Sequence, residues 1–261
     1  MHRLDIATYF TQNADGERSP SELTDDDLRS LYGYPSSLDS PWVRVNFVSS
    51  IDGAVTADGA SAGLGTPADK RLFAVLRELA DVIVVGAGTV RAENYGGART
   101  DGVMAARRTR AGLSAIPPIA VVTASAALDP ESRLFTDTEV PPLVLTSAAA
   151  DRDRLARLRE AGADIDIVAE HTVTGPAILA ALAVRGLRRI LCEGGPGLFG
   201  TLLRDGTVDE LCLTTSPQLL AGGAGRIAVS PTANPTPMSR AHILGDADGT
   251  LLTRWVRAPR D

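Results

Sequence analysis

From Trp42 onward, short apolar runs alternate with longer stretches in which apolar residues recur every three or four positions. The runs are WVRVNFV from Trp42, DVIVVG from Asp81, and the segments 119–123, 143–146, 165–168 and 189–193. Each is too short for a helix, and each reads as a strand; the unbroken apolar character of DVIVVG suits a strand buried on both faces. Between the first two runs, Leu72, Phe73, Leu76 and Leu79 mark an amphipathic helix over 68–80, with Pro67 suited to its first helical position. Further helices are predicted near 90–94, over 152–161 and over 175–185. Alternation of this kind predicts an α/β fold: a mostly parallel central sheet with flanking helices on both faces. The chain closes with ELCLTTSP and, after a Pro/Gly-rich stretch over 222–237, with LLTRWVR, expected as an antiparallel strand at the sheet edge. Residues 98–118 read as a basic, irregular loop.

Residues 1–40 are polar and rich in Asp and Ser, and form a predicted N-terminal arm; the acidic stretch 21–32 fits a helix N-terminus, where the dipole favours negative charge. Residues 41–261 are long enough for one α/β unit. An apolar share of 44% against 22% charged residues supports a sizeable core and argues against disorder. The net charge of -6 would repel a polyanion, so nucleic acid is excluded as a partner, though a local basic pocket for one phosphate is not. No leader pattern opens the chain and no apolar stretch nears the roughly 18 residues of a membrane span, so a cytoplasmic protein is expected. Cys192 and Cys212 both fall in strand-like segments and read as buried free thiols. His2, His171 and His242 lack partners at ligand spacing, so no metal is expected.

Ligands of open parallel sheets bind where strands run into loops, and three glycine clusters fall at such junctions. The run 85–90, Val-Gly-Ala-Gly-Thr-Val, follows a strand and opens a helix, so its backbone N–H groups can face a phosphate; it lacks a full Gly-x-Gly-x-x-Gly pattern, with Arg91 at the third glycine, and a plain tight turn is the competing reading. The run 192–197, Cys-Glu-Gly-Gly-Pro-Gly, repeats that setting and adds Glu193, able to accept hydrogen bonds from ribose hydroxyls or ring N–H groups, or simply to stand in solvent. The third cluster joins Ser49 to Gly53 with Ser61 to Thr66, followed by Asp69, Lys70 and Arg71. A carboxylate in a first helical turn is favoured by the dipole whatever its role; Asp69 could equally bind the N–H edge of a pyrimidine or pterin and help deliver a proton to it.

Taken in order, VNFVSSIDG, RLFAVLRELADVIVVGAGTVRAENYGG and RRILCEGGPGLFG resemble the reductase family of riboflavin biosynthesis, whose fold is that of dihydrofolate reductase, over roughly residues 42–257. The likeness extends to stand-alone actinobacterial members, some of which also reduce dihydrofolate. The resemblance implies NADPH contacts at Ser49, Gly86, Gly88, Thr89, Val90, Glu93 and Gly194, Gly195, Pro196, Gly197 and Leu198, with Thr123 and Ser125 meeting the adenosine 2′-phosphate. It implies a substrate side of Ser61, Asp69, Lys70, Arg99 and Glu193, Lys70 and Arg99 holding a 5′-phosphate. It also implies a homodimer, for which LLTRWVR is a candidate interface. The sequence departs from the family in having Asn46 where a lysine is common, Gly63 in place of an aromatic residue, and Tyr95-Gly96-Gly97 in place of a proline segment. The zinc-deaminase signature of bifunctional relatives is missing.

The activity this implies is NADPH-dependent reduction of 5-amino-6-(5-phosphoribosylamino)uracil, ribosyl to ribityl. Dihydrofolate reduction is the alternative within the same class, and a non-catalytic nucleotide-binding module the alternative outside it. An acyl transferase would need a nucleophile elbow, and none is present.

Overall fold

The computed structural model describes residues 1–4, 10–12, 18–20, 22–57 and 59–258. In chain order the strands are β1 (His2–Arg3), β2 (Phe10–Gln12), β3 (Arg18–Pro20), β4 (Trp42–Ser50), β5 (Val82–Gly86), β6 (Ile119–Val122), β7 (Leu143–Ser147), β8 (Asp164–Ala169), β9 (Arg189–Cys192), β10 (Glu210–Ser216), β11 (Met238–Gly245) and β12 (Leu251–Arg257). The helices are α1 (Asp25–Leu31), α2 (Pro67–Leu79), α3 (Ala87–Ala92), α4 (Gly102–Arg110), α5 (Arg133–Thr136), α6 (Arg152–Glu160), α7 (Gly175–Val184) and α8 (Pro196–Arg204). Parts of the predicted arm (5–9, 13–17 and 21) and residues 259–261 lie outside the described residues.

One sheet runs in the order β1-β11-β12-β10-β4-β9-β5-β6-β7-β8. Every pairing from β10 across to β8 is parallel, and β12, β11 and β1 add antiparallel strands beyond β10. The parallel strands match the predicted runs, and Val82–Val85 of β5 are all buried, as expected for a strand covered on both faces. LLTRWVR does not form the edge: β12 lies between β10 and β11, and the sheet ends at β1 and β8. Its partner β11 carries the polar residues Ser239, Arg240 and His242 among its apolar ones and a register shift between Arg240 and His242, so no clean alternation announced it.

Helices α7 and α8 cover one face, where Ile178, Leu182, Phe199 and Leu202 pack with Val43, Val45, Val82 and Val84. On the other face, Leu72, Val75 and Leu76 of α2 cluster with Leu191 and Cys212. The expected arm contributes Leu23, Leu28 and Tyr32 to that same cluster, and Thr24 caps α1 with a reciprocal Thr24–Asp27 capping box.

Residues 98–118, expected as loop, contain α4. None of its apolar residues is buried, and its buried residue is Arg108, 1% exposed. The guanidinium closes the C-terminus of α2: Nη1 donates to the carbonyls of Arg77, Glu78 and Ala80 at 2.8, 2.9 and 2.8 Å, and Nε to Ser114 O at 2.8 Å. Arg108 thereby supplies a donor to carbonyls at the helix end, where intrahelical partners run out; Arg77 O accepts from Ala80 N at 3.4 Å as well.

At the opposite ends of the central strands from the glycine turns, Glu210 of β10 is fully buried between two arginines. Arg44 Nε and Arg254 Nε donate to Oε1 at 2.7 and 2.8 Å, while Trp42 Nε1 donates to Oε2 at 3.0 Å. Burial alone would push this carboxyl up; Arg44 and Arg254 more than offset it and bring it down to about 2.

Candidate active site

The C-terminal ends of β4, β5, β6 and β9 open into a cleft of about 1080 Å³. Two glycine turns form its floor, and each leads into a helix: Gly86 is the residue before α3, and Gly195 the residue before α8, whose first position is Pro196. The turns are tied together, with Gly86 N donating to Gly194 O at 2.9 Å and Gly195 N to Thr89 Oγ1 at 2.9 Å. Glycine is required at 194 by a φ of +112° and at 195 by crowding, since a Cβ there would stand 2.7 Å from Thr89 Oγ1. At Gly88 and Gly197, by contrast, a Cβ would meet nothing within 4 Å. These two glycines leave open space over the first turns of α3 and α8, where backbone N–H groups without intrahelical partners face the cleft. A pyrophosphate fits that cradle in both shape and charge.

The wall opposite is α2. Asp69, Phe73 and Arg77 are spaced four apart, fall on one helical face and line the cleft together. Thr66 caps the helix by accepting from Asp69 N at 3.2 Å. Burial pushes the Asp69 carboxyl up, and Thr214 and Lys70 oppose this only in part. Asp69 thus holds its proton to higher pH than an exposed carboxyl would.

Glu193, at the end of β9, does not stand free. Arg77 grips it with two nitrogens, Nε to Oε1 and Nη2 to Oε2, both at 2.7 Å, and the Tyr95 hydroxyl donates to Oε2 at 2.6 Å. The Arg77 guanidinium lies over the Phe73 ring, 4.4 Å from its centroid. The carboxylate expected on the substrate side thus lines the cleft while held in an ion pair. At the rim, Asp137 accepts from both Arg99 and Arg133, and Arg133 also lines the cleft.

Of the residues named from sequence, Gly86, Gly88, Thr89, Glu93, Thr123, Gly194, Gly195, Pro196, Gly197 and Leu198 line one cleft with Ser61, Asp69, Arg99 and Glu193. Glu93 also accepts from Ser61 N at 2.8 Å, joining the two sides. Four do not line it: Val90 packs in the core beneath α3, Ser49 is buried at the end of β4, Lys70 faces solvent, and Ser125 is exposed just beyond Ala124. Sequence reasoning missed Phe73, Arg77, Tyr95 and Arg133. The first two carried a readable signal in their spacing from Asp69; Arg133 carried none, because its link to the site runs through Asp137 from a separate segment. Among the described residues no group of His, Cys, Asp and Glu could hold a metal ion, and no helix is long and apolar enough to cross a membrane.

Parallel strands end at paired glycine turns facing a desolvated carboxyl, and the relatives that share this arrangement place the chain in a class: α/β reductases that take a nicotinamide cofactor and a small-molecule substrate. The chain belongs to the RibD C-terminal domain family, whose model matches residues 41–252. It is 27% identical over 190 residues to the 2,5-diamino-6-ribosylamino-4(3H)-pyrimidinone 5′-phosphate reductase of Aquifex aeolicus, covering 71% of this chain and 80% of that one. Riboflavin biosynthesis protein RibD of Mycobacterium tuberculosis is 28% identical over 183 residues, 70% of this chain and 44% of that one. Among solved structures, a pyrimidine reductase-like protein from Corynebacterium diphtheriae superposes with a TM-score of 0.81 at 27% identity, covering 91% of this chain and 100% of that one. The fold expected from the sequence is the fold observed.

Proposed function

We propose that the chain reduces the ribosyl group of a phosphoribosylaminopyrimidine to ribityl with NADPH, its substrate being 5-amino-6-(5-phosphoribosylamino)uracil. The observation that carries this is the meeting of a desolvated carboxyl, Asp69, with two open glycine turns in one cleft, with arginines at its rim. The reduced nicotinamide, when bound, supplies the hydride to ribose C1′ of the ring-opened imine, and the residues here do the rest. Asp69 accepts from the N–H edge of the pyrimidine and delivers the proton that the imine nitrogen takes up, regaining it from solvent. Arg77 offers Nη1 to the ring, and Arg99 and Arg133 hold the 5′-phosphate. The N–H groups at Gly88, Gly197 and Leu198 hold the pyrophosphate.

NADPH rather than NADH is favoured at the far end of the cleft. Two guanidiniums bracket the loop after Thr123: Arg91 Nη1 donates to Ala127 O at 2.8 Å and Arg154 Nη1 to Ser125 O at 3.5 Å. A 2′-phosphate emerging between them would meet the positive charges of two exposed side chains that flank this loop.

The test is coenzyme oxidation by purified protein with the aminouracil phosphate, its diaminopyrimidinone counterpart or dihydrofolate, under NADPH and under NADH. Turnover of the aminouracil phosphate, with a preference for NADPH that Arg154→Ala weakens, is the expected result. Turnover of dihydrofolate alone would replace the substrate assignment. Binding of NADPH with no turnover of any of the three would favour a nucleotide-binding module.

A further inference from the structure

Tyr95 lines this cleft, has no task in the proposed reaction, and stands in the segment that departs from the family pattern. Its position is imposed from several sides. Asn94 adopts a φ of +48°, Tyr95 N donates to Val90 O at 3.0 Å, and Gly97 N donates to Asp137 O at 2.8 Å. A side chain at 97 would overlap Thr138, so the glycine lets the segment lie flat against its neighbour. The phenol is thereby held at the floor of the cleft with its hydroxyl 2.6 Å from Glu193 Oε2. Burial pushes its ionisation well above the ordinary tyrosine range, so it acts as a neutral donor.

Glu193 then has Oε2 shared between Tyr95 and Arg77 Nη2, and Oε1 taken by Arg77 Nε. A guanidinium gripped along its Nε–Nη2 edge and stacked on Phe73 keeps one nitrogen unengaged; Nη1 makes no hydrogen bond among the described residues. Because the fork is rigid and planar, fixing one edge fixes the direction of the remaining nitrogen.

We propose that Tyr95 is a positioning residue: by locking the Glu193 carboxylate it aims Arg77 Nη1 at a carbonyl oxygen of the pyrimidine ring. The inference rests on the reductase reading above and adds to it a residue that sets substrate affinity without touching the reacting atoms. Remove the hydroxyl and Oε2 loses one of its two donors. The carboxylate can then rotate, and the direction of Nη1 is no longer fixed.

The experiment is a steady-state comparison of wild type, Tyr95→Phe, Arg77→Ala and the double variant, with the aminouracil phosphate and NADPH varied separately. Tyr95→Phe should raise KM for the pyrimidine about tenfold, the scale of a lost hydrogen bond to a charged group, while KM for NADPH and kcat stay within about twofold. Added to Arg77→Ala it should cause no further change, since the two act through one contact. A purely structural role would lower the amount of folded protein, read from thermal melts, and leave the KM of the folded fraction where it is. An unchanged pyrimidine KM in Tyr95→Phe, or additive effects in the double variant, would overturn the inference while wild-type turnover leaves the reductase reading intact. Wild-type protein inert toward the pyrimidine would overturn both.

Discussion

Arginine 108 offers a sharp test of how the active-site helix is held. Its side chain is 1% exposed and gives hydrogen bonds to four carbonyl oxygens, three of them at the C-terminal end of α2. In Arg108→Ala the Arg77 carbonyl keeps its bond from Ala80 N at 3.4 Å, whereas Glu78 O and Ala80 O lose the donor that Arg108 Nη1 supplies. Leaving two buried carbonyls unmet at about 1–3 kcal/mol each gives a loss of about 4 kcal/mol. For a chain of this length that corresponds to a fall in Tm of about 10 °C. Arg108→Lys should recover part of the loss, because an ammonium can donate to at most three acceptors but cannot span the same arc. Urea denaturation followed by circular dichroism, with m-values compared, measures the effect directly. A loss below about 1 kcal/mol with an unchanged m-value would show that α2 ends satisfactorily without its arginine and would refute the reasoning.

Two further predictions concern buried carboxyls of opposite sign. Asp69 is raised by burial, so its charged form burdens the folded state; Asp69→Asn should raise Tm at pH 7, and the gain should shrink as pH falls through the raised value and vanish below the ordinary 3.8. The same substitution should cut turnover by at least about 100-fold, measured as NADPH oxidation, and a variant of undiminished rate would remove Asp69 from the chemistry. Glu210 is depressed to about 2 by its two arginines, so it contributes stability above 4.5 that is lost as pH falls toward 2. Glu210→Gln should cost about 3–5 kcal/mol at neutral pH and flatten the acid limb of a Tm-against-pH series; an acid limb as steep as in wild type would show that other groups control it.

The parallel half of the sheet was legible because strands buried on both faces write themselves as unbroken apolar runs, as 82–86 does. The glycine turns were legible because tight approach leaves few choices of residue, as at Gly195 beside Thr89. What escaped the sequence were features whose logic is polar and distant. Helix α4 contributes an arginine rather than an apolar stripe, so periodicity had nothing to detect. Glu193 was legible because a carboxylate at a strand end is visible, whereas its partners Arg77 and Tyr95 were not, standing 116 and 98 residues away. Phe73 was counted with the core because it is apolar, although its spacing from Asp69 turns it to the cleft. The antiparallel strands were misordered because alternation shows that a strand is half-buried and does not say which neighbours it has.

The register of β4 bears on how this chain matures. It pairs with β9 and β10, so its partners sit well over a hundred positions downstream, and β10 in turn needs β12 from near the C-terminus. During synthesis the central strand must wait, apolar and unpaired, until most of the chain has left the ribosome. Folding rates fall as native contacts become more distant in sequence, and an exposed strand is an invitation to aggregate. Heterologous production should accordingly yield more soluble protein when translation is slowed and chaperones are abundant.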